Sequence, residues 1–401
     1  MKKSLFTIEI DALAPESVNR EDMPFLSSLA GRGMTARVET TLTFTQFVEI
    51  FSGLRPQESG FWTMFKRNPG SSIYSWMKPV MPMFRLAEAA GLRGPAGKMI
   101  DVMTNYRLVR RGRTYLARKP NVPFKMLPEL ALFSEDAISE PGLFRGKKTI
   151  FDSLREADEE FVYVALPFIR EGGRKRYLLA DNSDERAVEE VLKGSRRKIY
   201  SFYHLYMRGV DHVTHCTGLG SPEVKKRIRE IDTILERLYK GMNSRGRRVR
   251  FMIFSDHGML DVKGCIDVMA AVRKADLEKD CVAFYDSTIA KFWVDRGKKP
   301  PLLQCLSGIS GGHVLSGKEM EKFGIKFNNN EYGDVLFLAD PGMLILPNHF
   351  QGSAPVKAMH TYAPVKGLDG MLVLEGVKAA RNFTKRVHIT ELFRIIKREI
   401  S

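Results

Sequence analysis

Phe251-Met252-Ile253-Phe254-Ser255-Asp256-His257-Gly258-Met259 is the stretch on which the reading of this chain turns. From Val249 to Phe254 only Arg250 interrupts an apolar run, the pattern of a strand buried on both faces of a parallel sheet. The run stops at Ser255, and a carboxylate and an imidazole follow directly. In open α/β sheets ligands bind just past the carboxyl ends of strands. Neighbouring side chains on a strand face opposite ways, but a turn closed by Gly258 lets Asp256 and His257 converge. Asp and His together suit zinc, manganese or iron better than calcium. On its own the pair reads equally as a turn that ends a strand, so the rest of the chain has to decide.

The chain has 401 residues, enough for two ordinary domains or one large α/β domain with an insertion. Its 44% hydrophobic content is that of a folded protein with a sizeable core. Lys and Arg number 63 against 47 Asp and Glu, a net charge of +16 that favours anionic substrates or surfaces. The cysteines, Cys216, Cys265, Cys281 and Cys305, are far apart and form no CxxC pair, which suggests free thiols in a reducing compartment. The basic start Met1-Lys2-Lys3 leads into an apolar stretch too short for a signal sequence and broken by Glu9 and Asp11. No uncharged apolar run reaches the length of a membrane span. The expectation is a soluble, cytoplasmic protein.

Other candidates follow in chain order. Residues 4–10 predict a first strand with Asp11 at its tip, Pro24 to Gly31 a helix, and Thr35 to Thr41 a strand. From Thr45 a helix buried on Phe47, Ile50 and Phe51 runs to Gly53. Thr43 falls at or just before its N-terminus, where a hydroxyl commonly caps and where free N–H groups favour an anion. Strands are expected at 161–166 and 199–207, with a helix from Asp184 to Lys193 between them. Asp211-His212-Val213-Thr214-His215 comes next, and on spacing alone either histidine could join Asp211 at one metal. A helix from Ser221 to Tyr239 carries Asp232 in a structural position, and Ala283–Val294 reads as one antiparallel strand. A strand at 333–342 precedes His360, and an amphipathic helix at 388–396 closes the chain.

Asp11, Thr43 with Gly53-Leu54-Arg55-Pro56, Asp211 with His215, Asp256-His257-Gly258 and His360 together resemble the nucleotide pyrophosphatase/phosphodiesterase family of the alkaline phosphatase superfamily. The resemblance covers about residues 4–60 and 199–400. It implies an α/β fold, a mixed, mostly parallel sheet sandwiched by helices, with an inserted cap subdomain. The implied division is a catalytic core of residues 1–60 and 199–401 and a basic cap of residues 61–198 that sets substrate specificity. The cap contains the runs Tyr106–Arg113 and Arg170–Arg176 and the prolines Pro120, Pro123, Pro128 and Pro141; a solvated basic surface is the alternative reading.

By the same resemblance Asp11, Asp256, His257 and the Thr43 oxygen hold one divalent metal, and Asp211, His215 and His360 a second. Zinc is the family's habit and manganese the alternative. His212 is left a supporting or surface role. Thr43 is the implied nucleophile, forming a phosphothreonine that water hydrolyses. Three departures bear on substrate rather than metal. The family's Thr-x-Pro-Asn is here Thr43-Phe44-Thr45-Gln46, and its His-Gly-Ile is Ser59-Gly60-Phe61. The family asparagine that donates to phosphate falls on Met64, which cannot donate. Thr63, Lys66 and Arg67 are the candidate replacements.

The expected activity is hydrolysis of a phosphodiester or nucleotide-type bond, in a small-molecule or lipid phosphoester. A phosphomonoesterase or phosphonate hydrolase on the same site stays open, as does an inactive module that binds an anionic partner through the cap. A sulfatase would need a Cys/Ser-x-Pro-x-Arg motif, which the Thr43 region lacks. The basic runs carry no interleaved aromatics, which argues against nucleic acid as substrate. The residues do not fix an oligomeric state.

Overall fold

In the computed structural model the described residues are 4–109, 121–133, 135–144, 146–166, 168–178, 183–244, 248–377 and 385–401. Of the residues singled out above, Arg110, Arg111, Gly112, Arg113 and Pro120 lie outside them.

The chain forms two compact units. The first contains residues 1–59, 137–262 and 356–401, and the second residues 60–136 and 263–355.

The first unit is built on a nine-stranded sheet. In chain order its strands are β1 (Leu5–Ile10), β2 (Met34–Glu39), β3 (Phe161–Ala165), β4 (Phe168–Glu171), β5 (Arg174–Tyr177), β6 (Phe202–Met207), β7 (Arg250–Phe254), β8 (Gly370–Glu375) and β9 (Arg386–His388). Their order across the sheet is β9-β2-β8-β7-β1-β6-β3-β4-β5. The four central strands, β7, β1, β6 and β3, are parallel. Only β8 and β4 run against the rest, so the sheet is mixed but mostly parallel, as expected.

Of the central strands β7 is apolar on both faces, Phe251 to Phe254, whereas β1 alternates Phe6, Ile8 and Ile10 with Thr7 and Glu9, which are buried as well. Phe6, Ile8 and Ile10 of β1 join Tyr203, Leu205 and Met207 of β6 in one apolar layer. That layer is covered by α1 (Pro24–Arg32), α4 (Asp184–Arg197) and α6 (Pro222–Met242). The inward residues of α6, Ile228, Ile231, Ile234, Leu235 and Leu238, recur at helical spacing, and each such buried side chain contributes about 1.5–3 kcal/mol. The opposite layer is aromatic: Phe51 of α2 (Gln46–Ser52), Phe151 of α3 (Ile150–Glu156) and Tyr163 of β3 surround His204, which burial pushes down to about 3. An α5 helix (Gly209–Thr217) follows β6, and α7 (Glu391–Ile400) buries Leu392, Ile395 and Ile396.

Asp232 is structural: its two oxygens accept the N–H groups of Phe25 and Leu26 at 2.9 and 2.8 Å, satisfying the start of α1.

The second unit has its own four-stranded antiparallel sheet, in the order Cys281–Tyr285, Ile289–Val294, Val335–Ala339, Gly312–Val314. The stretch expected to be one strand over 283–294 is thus a hairpin. Its turn, Asp286-Ser287-Thr288, is polar yet fully buried, and Lys291 closes on Asp286 at 2.8 Å.

The division of the chain also differs from the expected one. Residues 137–198 belong with the central sheet, because the apolar strand β3 pairs with β6 and the basic run 170–176 forms the β4–β5 edge. Residues 263–355 belong with 60–136, since Phe65 and Phe124 share one apolar cluster with Phe284 and Trp293.

Candidate active site

Four ligand-type positions leave the same edge of the sheet. Asp11 follows β1, Asp211 follows β6, Asp256 and His257 follow β7, and Thr43 lies beyond the end of β2. These strands are parallel, so their carboxyl ends coincide, as the opening motif predicts. His360 comes from the loop after the short strand Ala358–Met359, which pairs with Leu260–Asp261 just beyond His257.

Local structure explains each placement. The Asp11 N–H donates to the Met207 carbonyl at 2.9 Å, which extends the β1–β6 pairing by one residue. Ala12, immediately after, sits at φ 61. Thr361, immediately after His360, has φ 62. Left-handed backbone at a non-glycine residue is costly, and here it twice turns the chain directly behind a candidate ligand. At the 255–258 turn the Ser255 hydroxyl donates to the His257 carbonyl at 2.7 Å, and the Gly258 N–H donates to Leu368 O at 2.9 Å. A Cβ on Gly258 would collide with the Gly367 carbonyl oxygen, so the turn closes only with glycine.

The side chains converge. Oxygens of Asp11 and Asp256 and a nitrogen of His257 lie within 4.8 Å of one another, and so do atoms of Asp211, His257 and His360. His257 therefore belongs to both groups, where the sequence reading gave it to one. His215 joins through Asp211, with its Nε2 3.2 Å from Asp211 Oδ1 on the same face of α5. His257 Nε2 stands 3.3 Å from Asp11 Oδ1 and 3.3 Å from Asp256 Oδ2. The His257 and His360 rings stack at 3.9 Å. His212, by contrast, is exposed.

Each imidazole is held by its other nitrogen. His215 Nδ1 lies 2.8 Å from the Ala358 carbonyl, His257 Nδ1 3.0 Å from the Gly258 carbonyl, and His360 Nδ1 2.7 Å from the Thr361 hydroxyl. A carbonyl only accepts, so the first two rings carry their proton on Nδ1 and turn a bare Nε2 toward the carboxylates. That is the arrangement of a metal-binding histidine.

The electrostatics make the same point. Asp11 and Asp256 are fully buried, and burial pushes both above the ordinary carboxylate range. Asp211 and Asp256 add repulsion at Asp11, while the Tyr206 hydroxyl, donating to Asp11 Oδ2, opposes it. Burial also works to raise Asp211, but the neighbouring His215 outweighs it and holds Asp211 down; His215 is raised in return, against its own burial. Burial, and then His257 and His215, drive His360 well below the usual histidine range. Oδ1 of Asp11, of Asp211 and of Asp256 is buried without a hydrogen-bond partner. Three such oxygens set among three imidazoles are costly alone and suit a divalent cation.

Thr43 is fully buried. It is not the cap of α2, since Thr45 occupies that position. Instead its oxygen accepts the Thr45 N–H at 3.1 Å and shares a hydrogen bond with the Thr45 hydroxyl at 3.0 Å. Gln46 Nε2 donates to the Thr43 carbonyl at 2.8 Å, and so does the Thr361 hydroxyl at 3.4 Å. Phe44 meets His360 edge-on at 5.9 Å, so the 43–44 loop packs on the His360 loop. Both departures from the family's Thr-x-Pro-Asn thus serve Thr43. At φ −130, position 45 is closed to proline, and proline has no N–H to give.

The three candidate phosphate donors lie in the second unit. Thr63 is buried, donating to the Phe65 carbonyl at 2.8 Å and accepting from Lys291 at 2.7 Å. Lys66 pairs with Glu331 at 2.8 Å and Arg67 with Glu129 at 3.5 Å.

Two supporting residues were missed. Tyr206 holds Asp11, a contact that depends on the β1–β6 register. Asp184 accepts the N–H groups of Arg208 and Gly209 at 3.1 and 3.0 Å and pairs with Arg227 at 2.7 Å, anchoring the start of α5.

A mostly parallel α/β sheet thus carries threonine, carboxylates and imidazoles together at its carboxyl edge, the arrangement expected of an alkaline-phosphatase-type fold. The chain belongs to the type I phosphodiesterase / nucleotide pyrophosphatase family, whose model matches residues 5–346. Its fold is similar to that of human ectonucleotide pyrophosphatase/phosphodiesterase 5, with a TM-score of 0.69 at 16% identity, over 99% of this chain and 95% of that one. An inactive threonine-to-alanine form of the murine protein, in complex with AMP, gives 0.68 at 15% identity over the same shares.

Curated relatives include GPI ethanolamine phosphate transferase 2 of Schizosaccharomyces pombe, 31% identical over 90 residues or 21% of this chain. The catalytic subunit of the Homo sapiens transferase of that name is 25% identical over 135 residues, 31% of this chain. These matches span only 12% and 13% of the relatives' own lengths.

Proposed function

We propose that the chain is a metal-dependent phosphodiesterase or pyrophosphatase that works through a phosphothreonine at Thr43. The carrying observation is the set of three buried, unpartnered carboxylate oxygens among histidines whose Nδ1 atoms are already engaged. Asp11, Asp256, His257 and the Thr43 oxygen would hold one ion, and Asp211, His215 and His360 another. Mixed carboxylate and imidazole donors favour zinc, with manganese the alternative. Two such ions, when bound, supply cover for phosphoryl charge and ease deprotonation of the nucleophile.

The chain's own residues do the rest. The Thr45 N–H, Gln46 and Thr361 fix Thr43 on both its oxygen and its carbonyl. The Thr43 oxygen attacks phosphorus as the bond to the leaving oxygen breaks, giving an ester on Thr43. Water then cleaves that ester and returns the hydroxyl.

The AMP complex of the murine neighbour supports a nucleotide-type substrate, and the relatives named as GPI ethanolamine phosphate transferases support a lipid-linked one. The four cysteines are free thiols, which fits the cytoplasm.

The test is hydrolysis of an aryl phosphodiester beside its monoester, with chelated and zinc- or manganese-loaded protein. We expect metal-dependent diester cleavage, falling by about a thousandfold or more in Thr43→Ala. Monoester preference would keep the site and change the substrate class. Equal turnover by Thr43→Ala would remove Thr43 from the mechanism.

A further inference from the structure

Ten large apolar side chains are strongly exposed among the described residues, and seven of them fall between Met83 and Tyr106 in the second unit. Met83, Leu86 and Leu92 stand on and just after the helix Met81–Ala89. Met99, Val102, Met103 and Tyr106 form a stripe at spacings of three and four along the helix Arg93–Val109. The opposite side of that helix, Ala96, Ile100 and Leu108, is already buried. A solvated helix should be polar on its outer face, and this one is apolar on both. With Leu86 71% and Val102 68% exposed, the patch is a contact surface in waiting.

The charges beside it say what it contacts. Between residues 75 and 109 there are five Lys and Arg against two acids, and one of those acids, Glu88, is paired with Arg93. Lys78, Arg85, Lys98 and Arg107 are exposed in the same stretch of chain. An exposed apolar helical face in a cationic stretch matches a lipid surface with anionic head groups.

We propose that the helices Met81–Ala89 and Arg93–Val109 dock the protein on an anionic membrane surface. The apolar stripe enters the head-group boundary, and the flanking cations lie against lipid phosphates. This surface belongs to the second unit and does not depend on the hydrolase reading.

The test is co-sedimentation of the full chain with phosphatidylcholine vesicles, with and without phosphatidylglycerol, over a salt series. The wild type should bind the anionic vesicles and be released by salt. Leu86→Glu with Val102→Glu, and separately Arg85→Glu with Lys98→Glu, should each weaken binding by about tenfold or more. All four positions are exposed, so the variants should melt with the wild type, and the melting curve controls for folding. Failure of the wild type to sediment with anionic vesicles at low salt would overturn the proposal. So would binding unchanged in both variants. A concentration-dependent dimer abolished by Leu86→Glu with Val102→Glu would assign the face to a second copy instead.

Discussion

Thr45 lies two residues from Thr43, and both its N–H and its hydroxyl reach the Thr43 oxygen. A neutral hydrogen bond contributes about 0.5–1.5 kcal/mol, so Thr45→Val should lower kcat by about threefold to tenfold with KM little changed. Thr45→Ser should restore it; a Val variant with wild-type kcat would remove the hydroxyl from the account. Six positions beyond Thr43, Glu49 is buried with the Thr41 hydroxyl donating to it. Burial pushes its carboxyl from 4.5 up to about 8, against the opposing pull of Thr41 and Arg55. The folded protein then holds a proton that the unfolded chain releases. Its stabilising effect is complete below pH 4.5 and is lost as pH rises to about 8, at up to about 1.4 kcal/mol per pH unit. Denaturant melts of wild type and Glu49→Gln across that window should show the slope in the first and its loss in the second. Parallel pH profiles would place the proton elsewhere.

The elements that carry ligands are held from outside the site. Asp184 fastens the first turn of α5, and that helix presents Asp211 and His215 one turn apart. Asp184→Asn should therefore reduce stability by about 1–3 kcal/mol and metal affinity by about tenfold to a hundredfold, read by melting and by metal titration. Unchanged affinity would mean that α5 is positioned by packing alone. The Asp211–His215 pair was within reach of the sequence because the two are local, with the family resemblance choosing His215 over His212. Asp184 was not, since its partners Arg208 and Gly209 come into reach only when β6 is in place. The hairpin Cys281–Val294 was misread for a related reason. No glycine, proline or asparagine marks Asp286-Ser287-Thr288 as a turn, and it is Lys291, buried with Asp286, that stabilises it. Lys291→Ala, which leaves that carboxylate buried without its cation, should cost about 3–5 kcal/mol in a denaturant melt. A loss below 1 kcal/mol, roughly what an exposed pair is worth, would show that the turn does not need the pair.

At the scale of the molecule, the parallel strands gather Asp11, Asp211, Asp256 and His257 at one sheet edge although more than 240 residues separate the first from the last. That convergence was legible because Asp11, Asp211 and Asp256 each follow within a few residues of a strand that the sequence predicts. The partition of the chain was less so: nothing local marks residues 161–165 as a strand of the central sheet, or ties 263–355 to 60–136. Those assignments depend on pairing and packing between distant segments. The central claim is that Thr43 carries the phosphoryl group during turnover, and the direct test is to catch it there. Metal-loaded protein would be mixed with a slow aryl phosphodiester, quenched in acid and mapped by peptide mass spectrometry. The account predicts a phosphoester on Thr43 that forms only with metal and is absent in Thr43→Ala. Turnover of the diester with no adduct on Thr43, and undiminished in Thr43→Ala, would contradict it.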